Sequence, residues 1–341
     1  MFKKIFKYAE ENNCSDIHIN VGNPPIARLA GELQKIPNLN PLKFEEVEGF
    51  IKKILNEKQF KDYHNKKEID FSFAIGDKFR YRVNVFKNSN GGAVALRPIK
   101  NNPKTLEDIK APKIFEELIE KRQGLVIVSG PTGCGKSTTL AAMINHINNN
   151  STANIITIED PIEYIHSSKK SLIHQREIGA HSNSFSDALR SSLRQDPDII
   201  LVGEMRDLET ISLALTAAET GHLVLTTLHT SSAANAISRI IDVFQESEQQ
   251  IVRTMLGNSL NGVVLQHLLP TKKGTMEAAF EVLVANSSIK NLIREDKLPQ
   301  INSMMEIGKK HGMITFKDSV QKMLEEGVIE QETAAKFLKK F

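Results

Sequence analysis

Gly130-Pro131-Thr132-Gly133-Cys134-Gly135-Lys136-Ser137 fits the pattern G-x-x-x-x-G-K-[ST], and no other stretch restricts the fold of this chain as much. The residues before it, Leu125–Ser129, form an apolar run of strand type, and helix is predicted from Lys136 onward. A glycine-rich turn between a buried strand and a helix start belongs to a parallel α/β sheet. Glycines let successive backbone N–H groups curl around an anion, and the helix N-terminus adds partial positive charge. Lys136 can reach β- and γ-phosphates, and the Ser137 hydroxyl can ligate Mg²⁺. Gly130 through Thr138 are therefore candidate nucleotide-binding residues. Cys134 reads either as a redox-sensitive thiol or, more plainly, as a small residue that the loop tolerates.

The 341 residues are long enough for two domains at roughly 150 residues each. From residue 109 onward, apolar β-branched runs alternate with helical stretches: Leu125–Ser129, Ile155–Glu159, Ile199–Glu204 and Leu223–Leu228 as strands, Phe185–Arg194, Leu208–Glu219 and Ala233–Ile241 as helices. That alternation predicts an α/β domain over 109–341, with an antiparallel strand at Glu277–Ala285 and short helices to the end. Residues 1–100 read as a smaller α/β domain. It has a helix Phe2–Glu11, a strand near Ser15–Val21, a hairpin over Ile26–Ile36 and a helix from Phe44. Three strands follow, at Ile69–Ile75, Phe79–Phe86 and Ala93–Ile99, the last two joined through Asn88–Gly92. Pro98 to Thr105 has two prolines, two asparagines and no apolar period, so a linker and hinge are expected near 101–108.

A phosphate-binding loop needs a carboxylate at the end of a neighbouring strand, beside the ligand crevice. Two strand ends offer one: Glu159-Asp160-Pro161-Ile162-Glu163 and Gly203-Glu204. A carboxylate there can orient an attacking water or hold Mg²⁺ through water. Gly203 stands where a metal-binding Asp would precede the Glu, so direct metal ligation by that strand is not expected. His222 and His229 frame the strand Leu223–Leu228, seven positions apart. A histidine near a γ-phosphate can report its presence by hydrogen bonding, and both need not touch nucleotide. Arg80 and Arg82 share one face of a strand with Asn84, and Arg97 lies on the facing one. They read either as a solvated face or as a cluster that neutralises triphosphate charge.

Together these segments resemble the type II/type IV secretion ATPases. Gly130–Ser137, Glu159–Glu163, Leu193–Asp207 and Thr220–Thr230 are similar, in order and spacing, to that family's Walker A, Asp box, Walker B and His box. The resemblance spans about residues 5 to 330. It implies a PAS-like N-terminal domain, a RecA-like P-loop ATPase domain, a homohexameric ring, and ATP with Mg²⁺ as cofactors. It further implies that Glu204 is the catalytic carboxylate and Glu163 a second acid, with Arg82 and Arg97 as phosphate-facing arginines. His229 and His222 fall in the His box. Mg²⁺ would rest on Ser137, with Glu159 and Glu163 acting through water. Ser288-Ile289-Lys290-Asn291-Leu292-Ile293-Arg294-Glu295 resembles the AIRNLIRE element of the pilus-retraction ATPases, with Ser288 and Lys290 departing from it. Assembly and secretion members usually add an N-terminal domain and a four-cysteine metal motif. This sequence begins at the PAS-like part and has two cysteines, Cys14 and Cys134.

The expected activity is ATP hydrolysis powering type IV pilus retraction (twitching motility). The alternatives are a pilus-assembly or type II secretion ATPase, or a RecA-like nucleic-acid motor. Lys+Arg 44 against Asp+Glu 41 gives +3, too balanced for a dedicated nucleic-acid binder. No apolar stretch is long enough to span a membrane, and MFKKIFKYAEENN is too charged for a secretory signal. A cytoplasmic protein is expected, touching the inner face of the cytoplasmic membrane only through a partner, an inner-membrane pilus platform protein.

Overall fold

The computed structural model describes residues 1–29, 31–75, 79–99 and 103–339, with Phe79 described by its backbone alone. The chain forms two compact units, residues 1–101 and 102–341.

The first unit is built on an antiparallel sheet in the order β3-β2-β1-β6-β5-β4. Its strands are β1 (Asp16–Asn20), β2 (Ile26–Leu29), β3 (Glu32–Lys35), β4 (Glu68–Ile75), β5 (Phe79–Asn88) and β6 (Gly91–Ile99). Helices α1 (Phe2–Glu11), α2 (Phe44–Ile54) and α3 (Glu57–Lys66) contribute Ile5, Phe6, Val47, Phe50, Ile51 and Tyr63 to the core. Side chains alternate along a strand, so Ile17, Ile19, Val83, Val85, Val94 and Leu96 point into that core. The charged residues between them line the other face. Arg82 sits directly opposite both Arg97 and Ser72, and Asp16 adjoins Arg97. Pro98 and Ile99 belong to β6. β1 pairs with β6 only as far as Leu96, so Pro98 lies where β6 has one neighbour fewer and a missing N–H is tolerated.

The second unit has a mostly parallel sheet in the order β13-β12-β7-β11-β10-β8-β9. Its strands are β7 (Gly124–Ser129), β8 (Asn154–Glu159), β9 (Leu172–Glu177), β10 (Ile199–Val202), β11 (Leu223–Leu228), β12 (Leu260–Pro270) and β13 (Met276–Val284), only β13 being antiparallel. Leu125, Ile127, Ile156, Ile158, Ile200, Val202 and Val224 face helices α6 (Phe185–Ser192), α7 (Leu208–Glu219), α8 (Ala233–Ile241), α9 (Glu246–Ser259) and α10 (Ser287–Arg294). Val126, Val128, Ile155, Ile199, Leu201 and Leu225 face α4 (Ile114–Ile119) and α5 (Lys136–Asn150). A sheet covered on both faces explains the unbroken apolar runs. Each fully buried Ile, Leu or Val contributes about 1.5–3 kcal/mol. Beyond α10 come α11 (Ile301–Ile307), α12 (Phe316–Glu325) and α13 (Gln331–Leu338); Phe316 and Val320 close on Leu269 and Ala279.

Of the expected linker, Asn101 and Asn102 lie outside the described residues. Residues 103–108 are fastened to the second unit. Leu106 is buried, the Asn145 amide donates to the carbonyls of Pro103 and Lys104, and Thr105 and Asp108 bond each other's backbone N–H. β9, α9 and β12 are elements that the sequence pattern does not announce.

Candidate active site

In a parallel sheet all carboxyl ends lie on one edge, so strand register decides which side chains meet. Ser129 pairs with Leu228, Val202 with Thr226 and Ile158 with Val202. The residues that follow these ends are the loop from Gly130, His229, Gly203-Glu204 and Glu159–Glu163. They line a single cleft of about 340 Å³, together with Ser137, Thr138, Tyr164 and Arg206.

The loop is held tightly. Gly130 has φ +144°, and a Cβ there would lie 2.4 Å from the Gln266 carbonyl oxygen, so no other residue fits. Gly135 caps α5 at φ +93°, in the left-handed region. Gln266 of β12 is 1% exposed. Its amide donates to the Cys134 carbonyl at 2.5 Å and accepts from the Thr139 hydroxyl at 2.7 Å. The Thr138 hydroxyl and Tyr164 Oη lie 2.8 Å apart, linking α5 to the acidic loop. Cys134 is buried in the loop wall, and burial pushes its thiol pKa up; this favours the packing role over the redox one.

The Lys136 ammonium donates to the carbonyls of Gly130 (2.8 Å) and Pro131 (3.0 Å) and lies 3.4 Å from His229 Nδ1. Burial lowers its pKa, against the attraction of Glu204 and Glu163. His229 Nε2 lies 3.5 Å from Glu204 Oε1. The imidazole tautomer with its proton on Nε2 serves both neighbours, accepting from Lys136 and pointing its N–H at Glu204. Glu204 Oε2 receives Arg206 Nη2 at 2.7 Å. Burial alone would raise the Glu204 pKa; the hydrogen bond and charge of Arg206, then His229 and Lys136, lower it overall. Glu159 behaves oppositely. Burial pushes its carboxyl up to about 7, although Thr157 Oγ1 and Gln175 Nε2 both donate to Oε1.

The expected residues thus divide. Thr132, Gly133, Gly135, Lys136, Ser137, Thr138, Glu159, Glu163, Glu204 and His229 line the cleft, while Gly130, Pro131 and Cys134 shape the loop behind it. His222, expected with them, does not reach the cleft. It precedes β11 rather than following it, so it sits at the opposite edge of the sheet, where Nδ1 lies 3.0 Å from the Ala217 carbonyl. A histidine on the amino side of a parallel strand cannot reach its own chain's loop. Arg82 and Arg97 lie on the first unit, and Arg97 is bonded to Asp16 Oδ1 through Nε and Nη2 at 2.9 and 2.8 Å. Gln266, Tyr164 and Arg206 are missed by motif reading; the pair Gln266-His267 interrupting the apolar residues of Val263–Leu269 is the one signal for the first.

The profile of the type II/IV secretion system protein family matches residues 1–335. A twitching motility protein of Neisseria gonorrhoeae is 50% identical over 311 residues, 91% of this chain and 83% of that protein. The type IV pilus retraction ATPase PilT of Pseudomonas aeruginosa is 46% identical over 331 residues, 97% of this chain and 96% of its own. A crystal structure of the pilus retraction motor PilT with bound ADP superposes with TM-score 0.91 at 42% identity, covering 97% of this chain and 95% of that one.

Proposed function

The chain belongs to the type II/IV secretion system protein family, and on that premise we propose that it is an ATP-hydrolysing motor that drives type IV pilus retraction. One observation carries the hydrolytic part: Lys136, His229 and Glu204 form a connected row in the cleft, at 3.4 and 3.5 Å. The row joins a phosphate-binding ammonium to a carboxylate that can polarise water. In this reading the loop amides and Lys136 hold the β- and γ-phosphates, and Glu204 accepts a proton from the attacking water. His229 carries the presence of the γ-phosphate to Glu204, and Glu163 is a further acid of the site.

The cleft suits Mg²⁺. Ser137 offers one hydroxyl at the head of α5, and Glu159 and Glu163 stand within the same cleft for contact through water. Mg²⁺ keeps several waters and takes few protein ligands; among the described residues no group of three His, Cys, Asp or Glu forms a closed cage. The ion, when bound with ATP, offsets the charge of the β- and γ-phosphates.

Arg82 and Arg97 neutralise the triphosphate when the N-terminal unit closes on a nucleotide site, and six copies form the ring in which that closure becomes movement. No helix among the described residues is long and apolar enough to cross a membrane, so a cytoplasmic motor would reach the membrane through a pilus platform protein. The retraction direction is supported by the relatives named for twitching motility and retraction. A deletion strain tests it: abundant pili that cannot pull are expected. Cells without pili would point to assembly, and unchanged pili and motility would exclude both.

A further inference from the structure

Glu204 lines the cleft on a pinned backbone, the Gly203 N–H donating to the Ile158 carbonyl and the Met205 N–H to the Thr227 carbonyl, yet these bonds leave its side-chain torsions unset. β10 ends at Val202, Gly203 precedes Glu204, and α7 does not begin until Leu208. A glutamate on such a segment has three side-chain torsions to settle. Its surroundings must therefore decide which oxygen meets the cleft.

The charged groups that face it are few. Lys136 approaches from α5 but is bonded to the Gly130 and Pro131 carbonyls. His229, beyond β11, faces Oε1 at 3.5 Å. Asp160 and Glu163 line the same cleft from the loop after β8. Among the described residues Arg206 alone grips Oε2, at 2.7 Å. It is 65% exposed against 23% for Glu204, so its guanidinium stands at the mouth of the cleft and the carboxylate lies behind it.

We infer that Arg206 is a positioning residue for Glu204: by holding Oε2 it leaves Oε1, the oxygen beside His229, to meet the attacking water. The inference rests on Glu204 acting on that water. Two features support it. An arginine–carboxylate hydrogen bond is charge-assisted and directional, so it fixes orientation as well as charge. The same guanidinium also feels the attraction of Asp160. β8 and β10 are paired neighbours, Ile158 opposite Val202. Arg206 thus lies among carboxylates from two adjacent strand ends and screens their mutual repulsion.

The test compares ATP turnover and binding of a fluorescent ATP analogue in Arg206→Ala, Arg206→Lys, Glu204→Gln and the double variant Arg206→Ala/Glu204→Gln. Losing the partner that orients a metal-ligating side chain costs on the order of 10–100-fold, and losing the partner that orients a water-activating carboxylate should cost on the same order. That loss is expected in kcat of Arg206→Ala, with nucleotide affinity and melting temperature unchanged. Arg206→Lys should recover part of it, and the double variant should be no slower than Glu204→Gln. Normal kcat in Arg206→Ala overturns the inference. So does a matching loss of nucleotide affinity, which would mark a direct phosphate contact, or a further loss in the double variant, which would mark action independent of Glu204. If Glu204→Gln turns over normally, the reading of Glu204 fails and the inference with it; an inactive Glu204→Gln beside a normal Arg206→Ala sinks the inference alone.

Discussion

The side-chain amide of Gln266 donates to the carbonyl of Cys134 at 2.5 Å, so β12 holds the glycine-rich loop from behind. The same amide accepts the Thr139 hydroxyl from the first turn of α5. Gln266→Leu would strand both groups in a buried place, at about 1–3 kcal/mol for each unsatisfied group. The expected outcome is a lower melting temperature and weaker nucleotide binding, with kcat at saturating ATP largely kept. Thermal denaturation and titration with a fluorescent ADP analogue check this. Unaltered affinity would show that the loop needs no support from β12.

Lys136 and Glu204 should fail in different ways. In the proposed function Lys136 makes the phosphate contacts of the bound state and Glu204 acts on water, so Lys136→Ala should abolish ATP binding. Glu204→Gln should bind ATP and stop hydrolysing it. Equilibrium binding together with phosphate release separates the two, and normal turnover by Glu204→Gln would remove it from the catalytic role.

What the sequence reveals of this site is what the sheet's carboxyl edge imposes. Apolar runs that stop abruptly in glycine or carboxylate, at Ser129, Glu159 and Val202, are legible because a doubly covered sheet keeps charge out until the strand ends. The two histidines mislead, since strand direction rather than spacing decides which one reaches the loop. β12 is illegible for a different reason. It starts at Leu260 directly after α9, with no turn residues between them, and α9 itself (ESEQQIVRTMLGNS) lacks a continuous apolar stripe. Its place beside β7 is a long-range pairing that local pattern does not encode, so Gln266 goes unnoticed with it. Arg206 stands inside the Walker B segment, yet only the folded backbone turns its guanidinium back onto Glu204.

Glu159 should give the apoprotein a pH signature. Its carboxyl is raised from 4.5 to about 7 by burial. A group whose folded pKa is raised contributes stability that is present below the unfolded pKa and lost as pH rises through the folded one. The wild type should therefore lose stability relative to Glu159→Gln between those two values. The glutamine oxygen can still accept from Thr157 and Gln175. Melting temperatures at about pH 5 should be alike and at about pH 8 should favour the variant. A variant less stable at the higher pH would show that ionised Glu159 is the form the fold prefers.

In a ring, Arg82 has two nucleotide sites to serve, that of its own chain or that of a neighbour. It stands across β5 and β6 from Arg97, whose charge is already shared with Asp16. Arg82 is thus the better candidate to meet developing phosphate charge. An arginine in that role is worth on the order of 10³-fold in rate, so Arg82→Ala should bind ATP and hydrolyse it poorly. Mixing Arg82→Ala with Glu204→Gln subunits then distinguishes the arrangements. If Arg82 acts on the neighbouring site, some interfaces join an intact Glu204 to an intact Arg82, and activity rises above the sum of the two variants. If it acts on its own chain's site, every site carries one defect and no activity returns. We expect the rise. Confirmed mixed hexamers without it would overturn the shared site and leave closure within one chain as the mechanism.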